Sequence, residues 1–109
     1  MTPSVSVRPA LPALPALLAA ALFAAAPHAV AADKELGRNL AATCASCHNT
    51  NGKAIGDSVP LAGVPAERIV QLMNQFRDGK RAATIMTQLA KGYTPEQVQL
   101  IADHFAAQK

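Results

Sequence analysis

The chain has no tryptophan, one tyrosine and three phenylalanines in 109 residues, so large aromatic side chains do not build its core. It has two cysteines, three residues apart, so no disulfide framework staples it. No second Cys/His pair exists to complete the four ligands of a structural zinc. No stretch alternates like a strand, which removes the βαβ setting of a thioredoxin-like dithiol. Charged residues make up only 16% of the chain, and no basic patch is interleaved with aromatics, so nucleic acid is not an expected partner. Past the first thirty or so residues there are no repeats and no low-complexity tract.

The N-terminus reads as a secretory leader. Arg8 supplies the positive start, Leu11 to Ala26 is rich in Leu and Ala, and Ala29-Val30-Ala31 offers a small-residue cleavage pattern. The uninterrupted apolar run after Pro15 is short for a membrane span of about 20 residues, so residues 1–32 are expected to be removed rather than to anchor the chain. One domain remains, residues 33–109, with nine Lys/Arg against seven Asp/Glu. At 77 residues it is near the size at which one apolar core is marginal without added mass or cross-links.

What is present is Cys44-Ala45-Ser46-Cys47-His48, the C-x-x-C-H pattern of covalent c-type haem attachment. On one helical turn both sulfurs reach the same edge of a porphyrin and add across its vinyl groups, and the next side chain meets the iron. The prediction is one haem c on Cys44 and Cys47 with His48 as an axial ligand. The haem would supply the apolar mass that the aromatic-poor core lacks. Attachment of this kind takes place outside the cytoplasm, so the leader and the motif agree on an exported, in bacteria periplasmic, protein.

Around the motif the expected architecture is all-α, three to four helices about one haem. Leu36, Leu40 and Thr43 share a face of a first helix over 33–43, with Asp33 and Glu35 in its first turn. Residues 49–63, with Gly52, Gly56, Pro60 and Gly63, read as a loop wrapping one haem edge. Pro65 opens a second helix at its first position, Ile69, Leu72, Met73 and Phe76 form its apolar stripe, and Gly79 stops it. Residues 80–93 are irregular. Thr94, Pro95 and Gln97 make a capping box for a last helix whose buried stripe is Val98, Ile101, Ala102 and Phe105. This helix is expected to cross the first where Gly37 allows close approach.

The second axial ligand decides what the iron can do. A five-coordinate haem can bind a gas or peroxide, whereas a six-coordinate one passes electrons. The candidates are Met73, Met86 and His104, with Lys91 as an outsider. Met73 lies within an apolar helical stripe, where methionine fills core. His104 lies off the buried stripe of the last helix. Met86 sits in the irregular segment that must close over something, and is the expected ligand; its thioether would raise the reduction potential relative to harder ligands. Pro60 is a candidate to present its carbonyl to the other ring nitrogen of His48. Leu100, opposite the last buried stripe, is a candidate partner contact, and Arg77, Lys80, Arg81 and Lys91 are a candidate steering cluster for an acidic partner.

These residues resemble the small class I c-type cytochromes over essentially the whole of 33–109. The run 36–44 ahead of the motif, and Val59-Pro60-Leu61-Ala62-Gly63, are similar to the cytochrome c4/c5 group. Residues 76–81, Thr84-Ile85-Met86 and 90–94 resemble the cytochrome subunit of flavocytochrome c sulfide dehydrogenase. The resemblance implies the cytochrome c fold, Met86 as distal ligand and the Pro60 carbonyl as the acceptor for His48. It further implies electron transfer from an FAD-bearing, sulfide-oxidising flavoprotein subunit, the chain not being catalytic alone. The alternative it leaves is a free carrier of the c4/c5 type, serving another redox protein. Asn49 stands where relatives commonly have Gly.

Overall fold

A computed structural model describes residues 26–109, with side chains from Asp33 onward. The expected leader falls mainly on residues outside this range. Five α-helices follow in order: α1 (Ala26–Ala41), α2 (Ala45–His48), α3 (Ala66–Arg77), α4 (Met86–Lys91) and α5 (Pro95–Ala106), with a 3-10 turn at Ala42–Cys44 joining α1 to α2. No strand occurs among the described residues. Asp33 and Glu35 stand in the middle of α1 rather than in its first turn, because the Ala-rich residues before them continue the helix.

α1 and α5 cross at Gly37, whose position a Cβ would bring to 2.7 Å from the backbone oxygen of Leu100. Only glycine permits that approach. The same contact places the backbone of Leu100 in the crossing and leaves the residue half-buried. Thr94 caps α5 as its sequence predicts: Gln97 N donates to Thr94 Oγ1 (3.3 Å), and Thr94 N donates to Gln97 Oε1 (2.9 Å). Val98, Ile101, Ala102 and Phe105 are all buried on the face that α5 turns inward.

α3 departs from expectation at its start. Pro65, with ψ 136°, is the N-cap rather than the first helical residue. Its extended backbone still lets its carbonyl accept from Arg68 N (2.9 Å) and Ile69 N (3.2 Å). Of the stripe on α3, Ile69 and Met73 are buried, while Leu72 and Phe76 are half-buried. Gly79, at φ +70°, ends the helix, and Lys80 N reaches back to Gln75 O (2.9 Å).

The loop 49–65 is braced internally. Leu61 N and Ala62 N both donate to Gly52 O (2.8 and 3.1 Å), Ile55 N donates to Cys47 O (3.0 Å), and Gly63 N donates to Phe105 O (3.1 Å). Residues expected to be irregular contain the short helix α4. Its apolar residues carry no core stripe: Leu89 is 38% exposed and Ile85, just before it, 56%. The described core is small, eight residues with only Phe105 aromatic.

Candidate functional site

α1 and its 3-10 extension deliver the chain into Cys44, and the single turn of α2 carries Cys47 and His48. Cys44 is half-buried and Cys47 exposed, both as free thiols. Burial pushes the Cys44 thiol above its ordinary value; a hydrogen bond from Thr43 opposes this and neighbouring Cys47 adds to it.

His48 Nδ1 lies 2.7 Å from the carbonyl of Val59. A carbonyl only accepts, so Nδ1 bears the proton and donates, and Nε2 keeps its lone pair for a metal. The acceptor is Val59, not Pro60 as the sequence suggested. A proline restricts the residue before it to extended conformations, so Pro60 acts on His48 by fixing the carbonyl that precedes its own ring. Val59 carried no signal of its own in the sequence.

Cys44, Cys47 and His48 open on a cavity of about 490 Å³, which Met73, Thr84, Ile85, Met86 and Leu89 also line. Val59, 67% exposed, joins Ile85 and Leu89 in turning large apolar side chains toward this space. Cofactor sites are concave and mostly apolar, with volumes of about 300–1,000 Å³. Two thiols on one edge, an imidazole with its Nε2 free, and apolar walls facing them fit the haem that the motif implies.

The structure brings Cys44, Cys47, His48, Met86 and the carbonyl before Pro60 to this one cavity. It also brings Met73, which at 6% exposure is packed in the core beside Ile69. His104 is elsewhere. Its Nε2 pairs with Thr50 O at 3.0 Å, and it lines a different cavity of about 660 Å³ between α1 and α5. Lys91 is exposed and does not line the site. The expected steering cluster is smaller than it looked: Arg77 turns inward onto backbone carbonyls, and Lys80 pairs with Asp78 at 3.6 Å. Arg81 lies over the ring of Phe76, 5.6 Å from its centroid.

Two hydroxyl residues of the site were not singled out from the sequence. Tyr93 and Thr43 share a hydrogen bond between their side-chain oxygens, and both line the cavity. Their separation of 50 residues hides the pairing from any local pattern.

The sequence profile of cytochrome c matches residues 34–106. The chain is 38% identical over 69 residues to the cytochrome subunit of sulfide dehydrogenase of Chlorobaculum tepidum, covering 63% of each chain. It is 31% identical over 83 residues to cytochrome c-554(548) of Halomonas halodenitrificans, covering 72% of this chain and all of that one. With cytochrome c4 of Pseudomonas aeruginosa it shares 34% over 80 residues, 72% of this chain and 40% of that one. The chain thus spans less than two thirds of the sulfide dehydrogenase subunit and of cytochrome c4. With a helical fold closing on a C-x-x-C-H cavity, it belongs to the cytochrome c family: a class I c-type cytochrome that carries one covalent haem c on Cys44 and Cys47.

Proposed function

We propose that His48 and Met86 are the two axial ligands of the haem iron, and that the exported protein, its leader removed, works in the periplasm as the electron-accepting partner of a sulfide-oxidising flavoprotein. One observation carries the ligand reading: His48 and Met86 line one cavity with both cysteines, while the Nδ1 of His48 is committed to Val59 O. Met86 is half-buried at the start of α4 and lines the cavity, whereas Met73, which also lines it, is buried in the core. Bound haem supplies a one-electron iron couple. The chain's part is to hold the imidazole by one nitrogen, offer a thioether opposite, and line the space between with apolar side chains that exclude water. A thioether favours the ferrous state and a closed sixth position leaves little room for gas or peroxide chemistry. Among the described residues no helix is long and apolar enough to cross a membrane.

The choice of partner is supported by similarity to the cytochrome subunit of sulfide dehydrogenase. A second reading, a free carrier, is favoured by the alignment with cytochrome c-554(548), which covers the whole of that protein.

The test of ligation is the oxidised spectrum of the haem-loaded protein beside Met86→Ala and Met73→Leu. The far-red charge-transfer band of a methionine-ligated ferric haem should be present in the wild type, lost in M86A and kept in M73L. A band lost in M73L instead, or absent from the wild type, overturns the assignment. For the partner, copurification of a flavoprotein that reduces the haem when sulfide is added supports the subunit reading, and salt-sensitive transient association supports the carrier.

A further inference from the structure

α4 carries Met86 on its first residue, where the Met86 side chain packs partly against the core but, among the described residues, no hydrogen bond from outside the helix holds the backbone. Its N-cap, Ile85, makes no side-chain capping bond. Among the described residues, Ala82, Ala83 and Thr84 make no hydrogen bond to the rest of the chain and are exposed. The helix is held from its other end. Ala90 is completely buried in the core. Its carbonyl accepts from Arg77 Nε at 3.3 Å, and the carbonyl of Tyr93, past the Gly92 turn, accepts from Arg77 Nη2 at 2.9 Å. Both oxygens lie at or just beyond the C-terminus of α4, where carbonyls lack helical partners and a positive charge is favoured. A planar guanidinium, with several N–H donors in fixed directions, can take two carbonyls at once; an ammonium offers no such fork.

We infer that Arg77 is the positioning residue for Met86: it grips the carbonyls of Ala90 and Tyr93 and so sets where α4 presents the thioether to the iron. The inference rests on the reading of Met86 as a ligand. Tyr93 extends the same linkage toward the attachment motif, because its hydroxyl pairs with that of Thr43, the residue before Cys44. Arg77 thereby ties the segment bearing one proposed ligand to the 3-10 turn that leads into α2, the helix bearing the other. Its inward orientation explains why it is not a surface charge for steering. When the grip is lost, α4 can shift at its Met86 end, and the sixth position opens to small external ligands.

The experiment compares haem-loaded wild type, Arg77→Gln, Arg77→Lys and Gly37→Ala. The readouts are the far-red methionine–iron band, the affinity of the ferric haem for imidazole, and the melting temperature. Gly37 lies at the α1–α5 crossing, so its variant weakens the fold without touching α4. R77Q should bind imidazole about 10-fold more tightly than wild type, the factor that corresponds to about 1.4 kcal/mol. R77K, which keeps the charge and loses the fork, should fall between them, and G37A should melt lower at wild-type imidazole affinity. Unchanged affinity in R77Q overturns the inference, as does an equal gain in G37A, which would mark the effect as loss of stability alone. If R77Q yields no holoprotein, R77K decides by the same criteria. A wild type without the far-red band overturns Met86 ligation itself, a failure distinct from a wild type that has the band and R77 variants that keep its imidazole affinity.

Discussion

Gly52 and Gly56 offer a matched pair of perturbations in the loop that supports His48. Both have positive φ, +74° and +58°, so alanine at either adopts a backbone that L side chains disfavour. That costs about 1–2 kcal/mol, less about 0.4–1 kcal/mol regained from a less flexible unfolded chain. At Gly56 nothing lies within 4 Å of the added Cβ, so Gly56→Ala should cost about 1 kcal/mol in all. At Gly52 the Cβ would meet Ala62 N at 2.5 Å, Ala62 Cα at 3.0 Å and the Leu61 carbonyl carbon at 3.1 Å, all backbone atoms that cannot rotate away. Overpacking adds about 1–3 kcal/mol. Moving the strands of the loop apart also endangers the bonds from Leu61 N and Ala62 N to Gly52 O, each worth about 0.5–1.5 kcal/mol. Gly52→Ala should therefore cost about 3–5 kcal/mol, a large part of the roughly 4–12 kcal/mol available to a domain of this size. Thermal melts of the two ferric holoproteins by far-ultraviolet circular dichroism should show midpoints lowered by roughly 5 °C for G56A and roughly 15–25 °C for G52A. Equal shifts would show that backbone conformation, not the close approach of Gly52 to Ala62, accounts for the glycine, and would refute the reasoning.

Two further outcomes follow from local geometry. Asn49 has φ 59° and ψ 161°, a region that is essentially glycine's alone and costs about 1–3 kcal/mol. Its Oδ1 recovers part of this by accepting from Thr50 N at 2.7 Å. Asn49→Gly should raise stability by about 1 kcal/mol, a midpoint gain of roughly 4–8 °C; a lower midpoint would mean that the side-chain bond outweighs the strain. Glu96, in the first turn of α5, has its carboxyl lowered from the ordinary 4.5 by its own backbone N–H and by Thr94. A carboxylate whose folded value is depressed stabilises the fold above its ordinary value and loses that contribution as pH falls through the folded one. Urea midpoints of wild type and Glu96→Gln should accordingly differ most at neutral pH and converge below pH 4.5; a gap that widens with acid would reverse the assignment.

Much of the fold was legible because its signals are local. The capping box at Thr94 and Gln97, the buried face of α5 and the stop at Gly79 each follow from residues within a turn of one another. The C-x-x-C-H motif works the same way, since two thiols and an imidazole on one turn must share one side of a haem. Even the crossing at Gly37 could be expected, because a small residue on a helix face permits close approach wherever the partner comes from. The order within residues 80–93 was not legible. Of the apolar residues of α4, Ala90 is buried in the core while Met86 and Leu89 line the haem cavity, and an amphipathic pattern reports only on burial against the chain. In the full chain α1 begins at Ala26, ahead of the acids at 33 and 35, because alanine continues a helix as readily as acids begin one.

By itself, then, the sequence determined the helices other than α4, the thin aromatic-poor core and the covalent attachment point of the haem, all of which depend on spacings of a few residues. Only the tertiary structure decided which groups from distant segments meet. It gave the acceptor of the His48 proton to Val59, 11 residues on, and turned Arg77 from the surface to the carbonyls of Ala90 and Tyr93. It also seated Leu100 against Gly37 and joined Tyr93 to Thr43. The physical reason is that backbone carbonyls are present at every residue and have no sequence signature. Which of them receives a proton depends on where the folded chain carries it.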